Sequence, residues 1–138
     1  MRALVLTLVL ALGGCAEKTG AITPEQQQRL DAEGVVRRAD DQLFRYTHGS
    51  GTRDAGWEER RASIIVTRQS VIIHKNEKLG LEITPRTRRF VEVRRDGNRV
   101  RISAGSGQSS ESWSFAPPDD AAGWAEDIRA VVQLGSGA

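Results

Sequence analysis

Hydrophobic residues fall along this chain in three rhythms. Ala3 to Leu12 is one uncharged apolar run. From Val35 to Ser112 apolar residues alternate with polar ones or gather in short β-branched runs, the spacing of strands. From Ala121 they recur at Trp124, Ile128 and Val131, a single helical stripe with Glu126, Asp127 and Arg129 off it.

The elements follow from these rhythms. Thr23-Pro24-Glu25-Gln26 reads as a helix start, with threonine as cap, proline at the first helical position and Gln26 as capping-box partner. This helix runs to about Glu33 and ends at Gly34. It has almost no apolar face, so it reads as a spacer and not as a core element. Gln42 to Thr47 is a first long strand, and His48 to Gly56 is a loop by composition. Ala62–Thr67 and Ser70–His74 flank Arg68-Gln69. A turn there pairs Val66 with Val71 and Ile64 with Ile73 on one face, leaving Ile65 and Ile72 on the other with His74 beside them. Arg86 to Ala104 is a second hairpin. With Asp96-Gly97 as its turn, Val93 faces Val100 and Val91 faces Ile102, while Arg94 faces Arg99 and Glu92 faces Arg101. Gly105 to Ser110 is a loop, and Ser112 to Phe115 a last short strand. Pro117-Pro118-Asp119-Asp120 then stops the strand and caps the final helix, about 120–134, which Gly135 ends.

Six or seven strands followed by one amphipathic helix predict a mainly β fold. A small antiparallel sheet has open edges and one apolar face, so it must close or be covered. A bent sheet or small barrel, capped by the terminal helix with Trp124 as the plug, meets both demands. The pattern resembles the pleckstrin-homology superfold over roughly Asp41 to Leu134. The likeness rests on Gly56-Trp57-Glu58-Glu59-Arg60-Arg61 leading into the second strand, and on the helix from Trp124 to Val132 with its single tryptophan. A lipocalin-like or other small β-barrel is the alternative. Members of the family that bind phosphoinositides use basic residues at the end of the first strand and in the second. Here Arg45, Arg60 and Arg61 stand there beside Asp54, Glu58 and Glu59, which weaken any phosphate site.

Cys15 is the one cysteine, and it follows Leu12-Gly13-Gly14 at the end of the first apolar run. Arg2, that run and small residues before a cut describe an export signal. The Leu-Gly-Gly-Cys box resembles the lipobox of bacterial lipoproteins, in which the thiol is alkylated with a diacylglycerol and the chain is cut just before the cysteine. The run is too short to span a bilayer, which takes roughly 20 residues, so the expected attachment is the lipid on Cys15. The resulting divisions are a signal peptide at 1–14, lipidated cysteine and tether at 15–23, polar helix and lead-in at 24–40, and the β domain at 41–138. Ala16 is not the aspartate that retains such proteins in the inner membrane. The expected place is therefore the outer membrane of a bacterial envelope, facing the periplasm.

Removal of residues 1–14 from the 138 leaves 124, enough for one domain with a modest core. The formal charge of +2 falls to +1 when Arg2 leaves, so net charge names no partner and no nucleic acid is expected. With Cys15 lipidated no thiol remains, which excludes disulfides, thiol catalysis and a cysteine metal site. His48 and His74 lack a carboxylate at ligand spacing, no serine has a nucleophile-elbow context, and no glycine-rich segment carries the Lys-Ser/Thr of a phosphate loop. Neither catalytic residues, nor a metal, nor a cofactor are expected. Residues 86–101 hold seven arginines against Glu92 and Asp96, the one basic cluster in the chain. The reading is a non-catalytic protein that binds an envelope protein partner or organises a complex at the membrane surface. The alternative is an anionic ligand or lipid headgroup held by the hairpin at Arg88, Arg94, Arg99 and Arg101, and the third is an uncharacterised enzyme.

Overall fold

A computed structural model of the chain describes residues 22–50, 57–75, 78–87, 90–106 and 109–136. Cys15, the signal segment, the tether up to residue 21, the loop residues 51–56 and Arg88 lie outside the described residues. Helix α1 (Pro24–Glu33) is followed by seven strands and one more helix. The strands are β1 (Val35–Ser50), β2 (Trp57–Thr67), β3 (Val71–Lys75), β4 (Lys78–Ile83), β5 (Phe90–Asp96), β6 (Arg99–Ser106) and β7 (Ser109–Phe115), and α2 is Ala121–Ser136. All pairings are antiparallel, in the order β4-β3-β2-β1-β7-β6-β5. The sheet curls into a half-barrel, and α2 packs against β5, β6 and β2. The expected mainly β fold, a small bent antiparallel sheet capped by a C-terminal helix, is the observed one.

The long β1 makes the curl. Its first residues pair only with β2, and from Arg45 onward it pairs with β7 as well. Between Ala39 and Gln42 the ladder slips, and Asp41 sits at φ 51°. The extra residue shifts the phase, so Ala39 before it and Phe44 after it both point into the core. Inside, Phe44 stacks on Phe115 with centroids 4.9 Å apart and meets Trp113 edge-on at 5.7 Å. Trp124 of α2 meets Phe115 edge-on at 5.4 Å, and with Ala125, Ile128 and Val131 it forms the buried stripe of the helix. Gly80 of β4 lets the Trp113 ring lie close, since a Cβ there would be 3.0 Å from the indole.

The β2–β3 hairpin has the expected register, Val66 with Val71, Ile65 with Ile72 and Ile64 with Ile73. The β5–β6 hairpin does not. Its loop is Gly97-Asn98, with Gly97 at φ 60° in the first central position, the pattern of a type II′ turn. Asp96 pairs with Arg99, Arg94 with Arg101 and Val93 with Ile102. The two faces keep their predicted residues because the slip moves both strands by one, but the cross-strand partners all change. Strand β4 was not expected, although Leu79, Leu81 and Ile83 alternate. β1 extends to Ser50 and β7 starts at Ser109, so strand replaces parts of two expected loops. Gly135 lies within α2 and does not end it.

Helix α1 has the expected capping box, with the Gln26 amide donating to Thr23 Oγ1 at 3.2 Å and the Thr23 amide donating to Gln26 Oε1 at 3.1 Å. It is more than a spacer. Leu30 is 1% exposed and packs with Ile65 and Ile72 on the outer face of β2 and β3. Thr67 Oγ1 donates to Glu33 at 2.8 Å, and Arg29 reaches Glu82 at 2.8 Å. Leu30, with Ile22 just before the helix, covers the two isoleucines, and the Arg29 and Glu33 contacts hold the helix against the sheet. No helix among the described residues is long and apolar enough to cross a membrane.

Candidate functional site

The outer face of β1, β7 and β6 carries a groove of about 570 Å³. Strand register explains its shape. Arg45 of β1 lies opposite Ser114 of β7, and Ser114 lies opposite Arg101 of β6. Thr47 lies opposite Ser112 in the neighbouring row. The central strand therefore presents two small serines between long arginine side chains, which leaves a trough with a hydroxyl floor. Trp57 of β2, opposite Thr47, forms part of the groove lining. Trp57 is 59% exposed, with the Arg45 guanidinium carbon 5.1 Å from its ring centroid.

Arg99 lies at the turn end of the groove. Its Nε donates to Ser114 Oγ at 3.1 Å and a terminal nitrogen donates to the Ser114 carbonyl at 3.1 Å. Partial burial, and then the nearby positive charge of Arg45, lower its pKa from the usual arginine value. Among the described residues the groove is lined by three arginines and one acid, Asp96, a formal balance of +2. Like charges held together in this way are an unmet electrostatic demand that an anion satisfies.

The sequence-predicted arginines separate in space. Arg99 and Arg101 line the groove. Arg94 is on the same face opposite Arg101, but its Nε is engaged by Glu92 at 2.5 Å. Arg88 and the lipidation residue Cys15 lie outside the described residues. Of the arginines at the place where the family resemblance puts phosphoinositide ligands, only Arg45 reaches the groove. Arg60 turns to the inner face, 3.8 Å from the Tyr46 ring centroid, and pairs with Glu58. Burial and the Glu111 charge raise the Tyr46 pKa. Arg61 points toward Asp41 at 3.6 Å. Arg45, Trp57, Ser112 and Ser114 were not grouped with the hairpin by sequence, because only the closure of β7 onto β1 brings them together.

Among the described residues no group of three or more His, Cys, Asp or Glu is placed to hold a metal ion. No protein-family profile and no curated protein matches the chain.

Proposed function

We propose that this chain is a lipid-anchored protein of a bacterial cell envelope, held by Cys15 in the periplasmic leaflet of the outer membrane, with a non-catalytic pleckstrin-homology-like domain that binds a ligand at the membrane surface. The Leu12-Gly13-Gly14-Cys15 box supports the anchor, and the seven-strand order with one terminal helix supports the domain type. Of the binding roles, an anionic ligand in the outer groove has the better geometric support. One observation carries it: Arg45, Arg99 and Arg101 line one groove whose floor includes Ser114, with Arg99 hydrogen-bonded to that serine and Asp96 as the one acidic lining residue described.

The test is retention of the full lipidated protein, in neutral detergent, on an anionic matrix. Wild type elutes at higher salt than the Arg45→Gln/Arg99→Gln/Arg101→Gln variant, while Arg38→Gln, on β1 beside Asp40, elutes with wild type. Equal elution of the triple variant and wild type ends the anion reading. A protein partner is the second reading. The exposed Trp57 beside Arg45 favours it, because tryptophan and arginine dominate interface hot spots.

A further inference from the structure

We propose that the outer groove binds a phosphate monoester, with the phosphate seated among Arg45, Arg99 and Arg101 above Ser114 and the organic part lying along Trp57. This rests on the anion reading and names its ligand class.

Charge selects the ligand first. The described lining carries three arginines and Asp96, a formal +2, and a phosphate monoester carries about −1.5 to −2 at neutral pH. A carboxylate or a phosphodiester brings a single charge and leaves the arginines partly unbalanced. Donor geometry selects in the same direction. Arg45 and Arg101 stand on the two strands flanking Ser114, about 10 Å apart at the backbone. Their side chains are long enough to close on one group between them. Each guanidinium offers a planar fork suited to phosphate oxygens. Arg99 is already oriented by two hydrogen bonds to Ser114, so ordering it costs little. The hydroxyls of Thr47, Ser112 and Ser114 add donors around the same point.

Size argues for an organic substituent. The groove, at about 570 Å³, lies within the range of roughly 300–1,000 Å³ found for small-molecule sites and exceeds what an inorganic phosphate fills. Arg45 stacks on Trp57, yet that residue remains 59% exposed. It offers a flat apolar surface beside the phosphate position, suited to the carbon face of a sugar or glycerol unit.

The test is calorimetric titration of the full lipidated protein in neutral detergent at pH 5 and pH 7.5. The probes are inorganic phosphate, glucose 6-phosphate, glucuronate and dihexanoyl phosphatidate. A phosphate monoester gains its second charge near pH 6, within the range compared. Glucose 6-phosphate therefore binds about tenfold more tightly at pH 7.5 than at pH 5, in proportion to its dianionic fraction, and inorganic phosphate, whose second proton leaves at higher pH, gains more. Glucuronate shows no such gain and binds about tenfold more weakly at pH 7.5, the cost of one missing charge-assisted contact. Arg101→Gln, an exposed change, weakens the phosphorylated probes about tenfold, and Arg99→Gln does the same. Trp57→Ala brings glucose 6-phosphate down to the affinity of inorganic phosphate. The tighter of glucose 6-phosphate and the phosphatidate tells whether the source is a free sugar phosphate or a lipid headgroup, and either supports the site. Glucuronate binding as tightly as glucose 6-phosphate, with no gain at pH 7.5, overturns the phosphate assignment and leaves the anion reading standing. Absence of binding by every probe, or binding unchanged by both arginine variants, overturns both.

Discussion

Arg37 of β1 donates its Nε to Asp127 of α2 at 2.5 Å, which ties the first strand to the last helix. A terminal nitrogen of the same arginine reaches Asp120 at 2.9 Å, and its guanidinium carbon lies 5.6 Å from the Trp124 ring centroid. Asp120 is also the helix cap, accepting from the Gly123 amide at 3.1 Å. One cation thus organises the cap, the first turns and the plug. Hydrogen bonding to Asp127 first, and to Asp120, raises the pKa of Arg37 against the lowering effect of burial. Arg37→Ala is expected to cost about 1–2 kcal/mol, more than an isolated surface pair, because the cap loses support as well. Urea unfolding of Arg37→Ala and of Arg38→Ala compares the two, and equal midpoints would show that the helix docks without this tie. Gly123→Ala should resemble Arg37→Ala, since a Cβ there meets both the Asp120 carboxylate and the Arg37 guanidinium.

The acids in these contacts predict a direction of acid unfolding. The Arg37 hydrogen bond, then the Gly123 amide, hold the Asp120 pKa below its usual value. At Glu33 burial pulls the pKa up, but hydrogen bonds with Ser70, Thr67 and Arg29 outweigh it and the net shift is downward. A carboxylate with a depressed folded pKa binds its proton less readily folded than unfolded. Its stabilisation is therefore complete above the unfolded value of about 4 and is lost as pH falls through the lower folded value. The melting temperature should be flat with respect to these two groups near neutrality and fall below about pH 4. Glu33→Gln should lower the neutral-pH melting temperature and flatten the acid limb. An unchanged acid slope in both Glu33→Gln and Asp120→Asn would remove this pair from the account.

Trp124 and Trp57 should respond differently to truncation. Trp124 is 2% exposed between α2 and the sheet, whereas Trp57 is 59% exposed on the groove rim. Trp124→Ala should cost about 3–5 kcal/mol as a large-to-small core change, most of the stability of a small domain. Trp57→Ala removes little buried area and one exposed cation–π contact, about 0.5–1 kcal/mol. Thermal melts of the two variants order them, and a wild-type melt for Trp124→Ala would mean that the terminal helix is not docked.

The features that were legible in the sequence are those decided by near neighbours. The capping box at Thr23 and Gln26 lies within one turn. The β2–β3 register follows from two β-branched runs and a short connection. The α2 stripe is a matter of spacing. The β5–β6 register was ambiguous because Asp96-Gly97 and Gly97-Asn98 are both good turn dipeptides, and the wider ladder decides between them. Docking of α1 was hidden because the helix itself buries one large apolar residue, Leu30, and its receptor is Ile65 and Ile72 on the face turned away from the main core. The groove was half legible. The hairpin supplies Arg99 and Arg101, but Arg45 and Ser114 join them only through the pairing of β1 with β7, a contact between the two ends of the domain.

The anchor is tested by metabolic labelling. Labelled palmitate should enter the wild-type protein and not Cys15→Ser, and the variant should leave the membrane fraction. Sucrose-gradient separation should then place the wild type in the outer membrane, following Ala16. Equal labelling of wild type and variant would end the lipoprotein reading, and inner-membrane recovery in a two-membrane bacterium would end the sorting argument.

The groove should not act as a second membrane anchor. A chain beginning at Ala16 keeps all of the described core, from Leu30 to Val131. Its formal charge is +1, since Arg2 is the one charge in the removed segment. Anionic lipid surfaces attract about 1 kcal/mol per effective cation, and here Asp96 lies within the groove while Glu92 engages Arg94. Phosphatidylglycerol presents phosphodiesters on a broad surface, whereas the three arginines line one groove, proposed to hold a single small dianion. This chain should remain in the soluble fraction when floated with phosphatidylglycerol-containing vesicles at physiological salt. Clear flotation that disappears in Arg94→Glu/Arg99→Glu would overturn that expectation and make the hairpin a headgroup-binding surface.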